Sequence, residues 1–135
     1  MNIRPATRAD VAAVAALLER ERSDAAVTDD TPEALMLAIE VNALLLAEVD
    51  GELAGTLIAG WDGWRGNLYR LVVEPRHRRR GIGRALVKAG EERLQALGAR
   101  RVTALVGREE RDAAAFWEAA GYLDDRNVKR FVRNL

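Results

Sequence analysis

The chain has 135 residues, enough for one domain with a single buried core and too few for two ordinary domains. With 49% hydrophobic and 31% charged residues, its composition is typical of a globular protein in water. The 21 Lys and Arg residues balance the 21 Asp and Glu residues, which disfavours a general nucleic-acid binder. The chain has no cysteine, which excludes disulfides, zinc–cysteine sites and cysteine nucleophiles.

Targeting and membrane segments are not predicted. No apolar run approaches the ~20 residues that a membrane-spanning helix needs. The first ten residues turn polar too early for a signal peptide. We therefore expect one domain over residues 1–135, soluble and cytoplasmic, with no membrane partner and no metal site.

The first third of the chain predicts one strand and two helices. Ile3 to Ala6 forms the strand, and a capping pattern at Thr7 begins a helix that runs to about Glu21. Thr31-Pro32-Glu33 begins the second helix, because proline is favoured at the first helical position and glutamate in the first turn. A polar loop over residues 23–30 joins the two.

The middle of the chain predicts a hairpin and a further central strand. Two apolar arms flank Asp50-Gly51, namely Ala43–Val49 and Glu52–Trp61. Asp-Gly between such arms is the strongest short signal for a hairpin. Leu44-Leu45-Leu46 is a continuous apolar run, so we expect the first arm to be covered on both faces. Leu68–Val73 forms the fourth strand, which Glu74-Pro75 ends.

The remaining residues predict two helices and three strands. Apolar residues at helical spacing indicate a long helix that Gly98 ends: Ile82, Leu86, Gly90, Leu94 and Leu97. We expect a buried strand at Val102–Val106, a helix over Ala113–Ala120, and closing strands at Tyr122–Asp124 and Val128–Val132. The order β-α-α-β-β-β-α-β-α-β-β predicts a mixed sheet with helices on both faces.

The segment between the fourth strand and the long helix concentrates the chemistry of the chain. It reads Glu74-Pro75-Arg76-His77-Arg78-Arg79-Arg80-Gly81-Ile82-Gly83-Arg84. The first turn of a helix presents unpaired N–H groups and a positive dipole end, and Gly81 and Gly83 let an anion approach the backbone. Helix starts normally favour acidic residues, so a bound anion explains the arginines better than the alternative of a solvated basic surface. We predict that residues 67–97 form a strand–turn–helix unit that binds the pyrophosphate of a large phosphorylated cofactor.

Two common phosphate motifs do not fit this segment. It lacks the Gly-Lys-Ser/Thr ending of the Walker pattern. Leu86 stands where the dinucleotide fingerprint needs a third glycine or alanine.

Two motifs resemble the GNAT N-acetyltransferases. Leu71–Pro75 followed by Arg78-Arg79-Arg80-Gly81-Ile82-Gly83 is similar to the family pattern Gln/Arg-x-x-Gly-x-Gly/Ala after the fourth strand. Ala113–Tyr122 is similar to the family's Ala-x-x-Phe-Tyr-Glu-x-x-Gly-Phe. Together with the order of elements, the resemblance covers nearly the whole chain. It implies the GNAT acyl-CoA N-acyltransferase fold, an α/β (α+β) architecture whose mixed, mostly antiparallel sheet is flanked by helices and splayed between strands 4 and 5.

The resemblance also implies acetyl-coenzyme A (acetyl-CoA) as cosubstrate. The N–H groups from about Arg79 to Arg84 hold its pyrophosphate, the fourth strand pairs with its pantetheine arm, and an N–H of that strand polarises the thioester carbonyl. The implied cofactor-binding residues are Leu71, Val72, Val73, Arg78, Arg79, Arg80, Gly81, Ile82, Gly83, Arg84 and Trp117.

The catalytic residues depart from the family pattern. Many members have a tyrosine as general acid where this chain has Trp117, and an indole does not give up its proton at physiological pH. Tyr69, Tyr122 or water can take that role, although Tyr122 is better interpreted as core packing. His77 is interpreted as a solvated surface residue, so Tyr69 and Glu74 are the catalytic candidates.

The acceptor side carries weaker indications. The loop between the first two helices contains three aspartates, which either attract a cationic amine or are simply solvated: Asp24, Asp29 and Asp30. Trp61 and Trp64 line the acceptor pocket or pack in the core, and Arg70 is a candidate partner for a substrate carboxylate.

The predicted function is an N-acetyltransferase that moves an acetyl group from acetyl-CoA to a primary amine of a small molecule or to a protein or peptide amino group. The absence of cysteine favours direct attack over an acyl-enzyme. The alternatives are a coenzyme A-binding module with little or no transferase activity, and a nucleic-acid-binding protein that uses Arg76–Arg84. The acceptor and the oligomeric state, a homodimer included, are left open.

Overall fold

The computed structural model describes residues 1–22 and 29–135. Its strands are β1 (Asn2–Pro5), β2 (Leu44–Val49), β3 (Glu52–Trp61), β4 (Gly66–Val73) and β5 (Val102–Ala104). Its α-helices are α1 (Val11–Arg20), α2 (Pro32–Glu40), α3 (Ile82–Leu97) and α4 (Arg111–Ala119). The predicted order of elements is therefore confirmed from the first strand through α4.

Local chemistry accounts for most element boundaries. The Thr31 hydroxyl accepts a hydrogen bond from the Ala34 N–H at 3.1 Å, and Pro32 opens α2. Asp50 and Gly51 both have positive φ, as a tight two-residue hairpin requires. Gly98 ends α3 in the left-handed conformation, with φ of 114°.

The five strands form one sheet in the order β1-β2-β3-β4-β5. The neighbouring pairs are antiparallel except for β4 and β5, which are parallel. Leu44 and Leu46 face a cluster with Val14 and Leu18 of α1, whereas Leu45 belongs to a second cluster, in which α3 packs on the other face of the sheet. The prediction of helices on both faces is confirmed, as is the burial of the Leu44–Leu46 run on both sides.

The end of the chain differs from the prediction. β5 stops at Ala104 instead of Val106, its residues are only half buried, and Leu105 is exposed. The strands predicted at Tyr122–Asp124 and Val128–Val132 are absent, since residues 123–135 form no helix or strand. Leu123 and Phe131 are 92% and 91% exposed, so this segment buries too little to hold a strand. Within the described ranges, no helix is both long and apolar enough to cross a membrane.

Candidate functional site

A cavity of about 740 Å³ opens where β4 and β5 separate. The two strands pair only through Gly66–Leu68 and Val102–Ala104. Beyond that point, Tyr69–Val72 and Leu105–Gly107 line the cavity from its two sides. The predicted splay between the fourth and fifth strands is confirmed, and over this stretch one edge of β4 has no neighbouring strand among residues 1–22 and 29–135.

β4 carries a bulge at the point where it borders the cavity. Thr56 of β3 faces Val72, but Ile58 faces Tyr69, so β4 has one more residue than β3 over this stretch. Arg70 lies in the bulge with φ of 52°, in the left-handed region that non-glycine residues rarely adopt. Its Nε donates a 2.7 Å hydrogen bond to Oδ1 of Asp30, and both residues line the cavity.

The turn between β4 and α3 is fastened to its surroundings by Arg78. The Arg78 Nε donates to the Val73 carbonyl at 3.1 Å, and its guanidinium donates to the Glu21 carboxylate at 2.8 Å. These contacts join the turn to the end of β4 and to the residue that follows α1. Arg78 therefore positions the turn, and its Nε occupies the carbonyl of Val73.

The start of α3 presents backbone donors that have no partner among the described residues. Its first intrahelical bond runs from the Ala85 N–H to the Gly81 carbonyl at 3.0 Å, so the N–H groups of Ile82, Gly83 and Arg84 have no acceptor within the helix. In the described part of the chain, no side chain caps this end. Gly81 has φ of 79°, and a β-carbon there meets nothing within 4 Å. Three N–H groups at the positive end of a helix thus suit an anion.

Gly83 has a different reason for lacking a side chain. A β-carbon at Gly83 would lie 3.1 Å from Cε2 of Phe116 and 3.3 Å from its Cζ, on α4. The direction that a side chain would take at Gly83 is filled by the packing of α4 against α3, and this packing accounts for the glycine. The approach of a phosphate to the backbone of Gly83 stays a prediction.

The arginines of the turn divide into paired and unpaired groups. Arg76 bonds the Glu52 carboxylate at 2.8 Å, and Arg84 donates to the Ala119 carbonyl at 3.2 Å. Arg79 and Arg80 are exposed and make no hydrogen bond or ion pair in the described part of the chain. These two guanidiniums are available to a ligand at the start of α3.

His77 is not the solvated residue that the sequence suggested. Both of its ring nitrogens are buried, and neither has a hydrogen-bond partner among residues 1–22 and 29–135. Its backbone belongs to the 3-10 turn of residues 75–77, in which the His77 N–H donates to the Glu74 carbonyl at 2.8 Å.

The two catalytic candidates lie in different places. Tyr69 is half buried and lines the cavity. The Glu74 carboxylate instead forms an ion pair with the Arg20 guanidinium at 2.9 Å, and Glu74 is not among the residues that line the cavity. The structure thus brings Tyr69, but not Glu74, to the open edge of β4.

Trp117 and Tyr122 form an aromatic cluster with Phe116. Trp117 is 8% exposed, lines the cavity from α4, and packs edge to face on Phe116 and Tyr122, with ring centroids 5.3 and 4.9 Å apart. The Tyr122 hydroxyl donates to the Glu91 carboxylate at 2.6 Å. Burial, with a smaller contribution from Glu91, raises the pKa of Tyr122. The interpretation of Tyr122 as a packing residue therefore fits its surroundings.

The acceptor-side candidates are mostly engaged or remote. Asp30 lines the cavity but pairs with Arg70, and Asp29 pairs with Arg22 at 3.5 Å, whereas Asp24 lies outside the described residues. Trp61 packs against the α3 side of the core, and Trp64 is 80% exposed. Neither tryptophan lines the cavity.

Two carboxylates near the start of α4 line the cavity and were not predicted from the sequence as site residues. Glu109 and Asp112 line the cavity, and neither has a hydrogen bond or ion pair in the described ranges. The available signal was the charged run Arg108–Asp112, placed between a predicted strand and a predicted helix.

A comparison with protein families gives an assignment. The sequence model of the acetyltransferase (GNAT) family matches residues 12–122. The chain belongs to this family. The resemblance inferred from the two sequence motifs is thereby confirmed.

Solved structures with the same fold include three GNAT-like chains. The aminoglycoside 6'-N-acetyltransferase AAC(6')-IG from Acinetobacter haemolyticus has 19% identity and a TM-score of 0.78, covering 100% of this chain and 99% of its own. The ribosomal-protein-alanine N-acetyltransferase from Brucella melitensis has 24% identity and a TM-score of 0.74, covering 90% and 83%. A predicted acetyltransferase from Clostridium acetobutylicum, solved with acetyl-CoA, has 13% identity and a TM-score of 0.74, covering 97% and 95%. At these identities the likeness establishes the fold.

Proposed function

We propose that this GNAT protein is an N-acetyltransferase that transfers the acetyl group of acetyl-CoA to a primary amine of a small molecule or to a protein or peptide amino group. One observation carries the proposal. The N–H groups of Ile82, Gly83 and Arg84, which have no partner among the described residues, open the helix that comes after β4, and the free edge of β4 lines a large cavity. A ligand with a diphosphate at one end and a long hydrogen-bonding arm matches both features.

The pyrophosphate is placed at the start of α3. Its charge is matched by the helix N-terminus and by the guanidiniums of Arg79 and Arg80, while Arg78 holds the turn in position. The pantetheine arm then runs along the main chain of Leu71 and Val72, in the manner of a strand added to an exposed edge. Trp117 covers the same cavity from α4.

The chemistry is direct attack. The neutral amine nitrogen bonds to the thioester carbon, the carbonyl electrons move to oxygen, and the C–S bond then breaks as the carbonyl re-forms. The proton that leaves the amine passes to a base, and the departing thiolate accepts a proton. We assign that donation to Tyr69, because it lines the cavity while the Tyr122 hydroxyl is bound to Glu91.

The comparisons support an amine as acceptor. The names of two of the structural relatives describe transfer to amino groups, of an aminoglycoside and of a ribosomal protein's alanine. A third was solved with acetyl-CoA. The unpaired carboxylates of Glu109 and Asp112 give the cavity groups that can attract a cationic amine or accept its proton.

A coenzyme A-binding module is the second candidate. Two observations favour it: the usual tyrosine is replaced by Trp117, and the Glu74 carboxylate is held by Arg20. Thiol release from acetyl-CoA, measured across a library of small amines and peptide N-termini, separates the two candidates. Amine-dependent release supports the transferase, whereas saturable binding of acetyl-CoA without release on any amine supports the module.

A further inference from the structure

Thr56 is the one polar side chain that is fully buried in the core of the described residues. It lies in the middle of β3, at 0% exposure, opposite the bulge of β4. Its hydroxyl donates a 3.1 Å hydrogen bond to the Arg70 carbonyl. A buried hydroxyl is costly without a partner, and here the partner is the backbone of the bulge.

This hydrogen bond sets the direction of a backbone donor. The Arg70 carbonyl and the Leu71 N–H belong to the same peptide unit, and the chain has no cis peptide bond in the described ranges. In a planar trans peptide the carbonyl and the N–H point in opposite directions. Because the carbonyl is directed at Thr56 in β3, the Leu71 N–H is directed away from β3.

That direction leads into the cavity. β5 pairs with β4 only as far as Leu68, so none of the described strands lies beside Leu71 on its outer edge. Leu71 itself lines the cavity. The bulge takes this peptide out of the regular ladder of hydrogen bonds, and Arg70 holds an unfavourable positive φ. Such a conformation persists only where its surroundings hold it, and the Thr56 hydroxyl is one of the groups that hold it.

We propose that Thr56 is a positioning residue for acetyl transfer. Its hydroxyl fixes the plane of the Arg70–Leu71 peptide, so that the Leu71 N–H donates to the thioester oxygen of acetyl-CoA. When the amine attacks, the carbonyl electron pair moves onto that oxygen, and the N–H stabilises the negative charge until the C–S bond breaks. This inference rests on the proposed function, since it names the donor that the reaction uses and the group that aims it.

Three variants test the inference in the intact protein. Thr56→Val keeps the shape of the side chain and removes the hydroxyl, Thr56→Ser keeps the hydroxyl, and Thr103→Val on β5 is the matched control. We expect Thr56→Val to lower kcat about tenfold with the KM for acetyl-CoA changed by less than about twofold, because the donor acts mainly in the transition state. Thr56→Ser and the control should stay within about twofold of the wild type. An unchanged kcat in folded Thr56→Val overturns the inference, and Thr56→Ala tests the same contact if the valine variant does not fold.

A readout that needs no activity keeps the two proposals apart. Crystal structures of the wild type and Thr56→Val should show the Arg70–Leu71 peptide rotated or in several orientations in the variant only. An identical peptide orientation in both overturns the role of Thr56 whether or not the protein transfers acetyl groups. If the wild type binds acetyl-CoA and acetylates no amine, the proposed function fails, and the peptide orientation still decides whether Thr56 holds the bulge.

Discussion

A charge placed at Gly81 should weaken coenzyme A binding far more than the same bulk without the charge. Gly81→Asp and Gly81→Asn add side chains of one size at a residue with φ of 79° and open space around the β-carbon. Both variants should lose about 1 kcal/mol of folding stability, since both bear the same backbone strain. A carboxylate about 6 Å from a doubly charged pyrophosphate costs about 2 kcal/mol at an effective dielectric constant of about 50.

The expected difference is therefore about 30-fold in Kd between the Asp and Asn variants. Titration calorimetry with coenzyme A measures it, and the ratio should shrink as salt rises because the repulsion is screened. Gly63→Asp is the matched control, since Gly63 has φ of 89° and equally open surroundings but lies in the β3–β4 connection. Equal Kd values for Gly81→Asp and Gly81→Asn would refute the placement of the pyrophosphate.

Three further predictions concern packing, pH and the aromatic cluster. Gly83→Val should destabilise the fold by about 2 kcal/mol, because the new side chain meets Phe116. In the double variant, Phe116→Ala should relieve part of that loss. Urea unfolding measures both, and additive losses would contradict the contact between the two residues. Hydrogen bonds from Arg4 lower the pKa of Asp10 to about 2, so the pair adds stability above the ordinary carboxyl pKa, and this stability is lost as pH falls towards 2. With solvent screening this amounts to about 1 kcal/mol, and Asp10→Asn should show a correspondingly smaller loss between pH 5 and pH 2. Because the proton donation is assigned to Tyr69, Trp117→Tyr and Trp117→Phe should give the same kcat within about threefold; a larger rise in the tyrosine variant alone would contradict the role of Tyr69.

Most of the fold was predictable because the residues that begin and end its helices and strands act locally. The turn residues Asp50-Gly51, the cap at Thr31 and the stop at Gly98 act on their own stretch of backbone, so their effects can be inferred without knowing the rest of the structure. Strands at the end of the chain depend on a neighbour with which to pair. The pattern at Val128–Val132 has the composition of a strand, but in the described residues it lies beside no strand and stays irregular.

In the candidate site too, features set by nearby residues were predictable, and features set by distant contacts were not. The unpaired N–H groups at the start of α3 were predictable from Gly81 and the helix pattern, because helix N-termini carry unpaired donors wherever they occur. The ion pair that occupies Glu74 comes from Arg20, and the crowding at Gly83 comes from Phe116. Contacts between residues so distant in the sequence leave no local signature.

The bulge in β4 was also beyond the sequence pattern. One extra residue in β4 shifts the register, so that Thr56 pairs with Val72 whereas Ile58 pairs with Tyr69. The apolar character of the two strands is unaffected by this shift. The bulge decides where the regular ladder of hydrogen bonds between β3 and β4 is interrupted. The alternation of apolar and polar residues reports which face of a strand is buried, and it does not report which backbone N–H leaves the ladder.

The most direct test of the central claim is an NMR titration of the intact, ¹⁵N-labelled protein with coenzyme A. The backbone amide signals of Ile82, Gly83 and Arg84 should shift the most, in a saturable manner and with an affinity that falls as salt is added. Addition of coenzyme A to millimolar concentration that leaves these three amides unmoved would contradict the claim that the start of α3 holds the pyrophosphate.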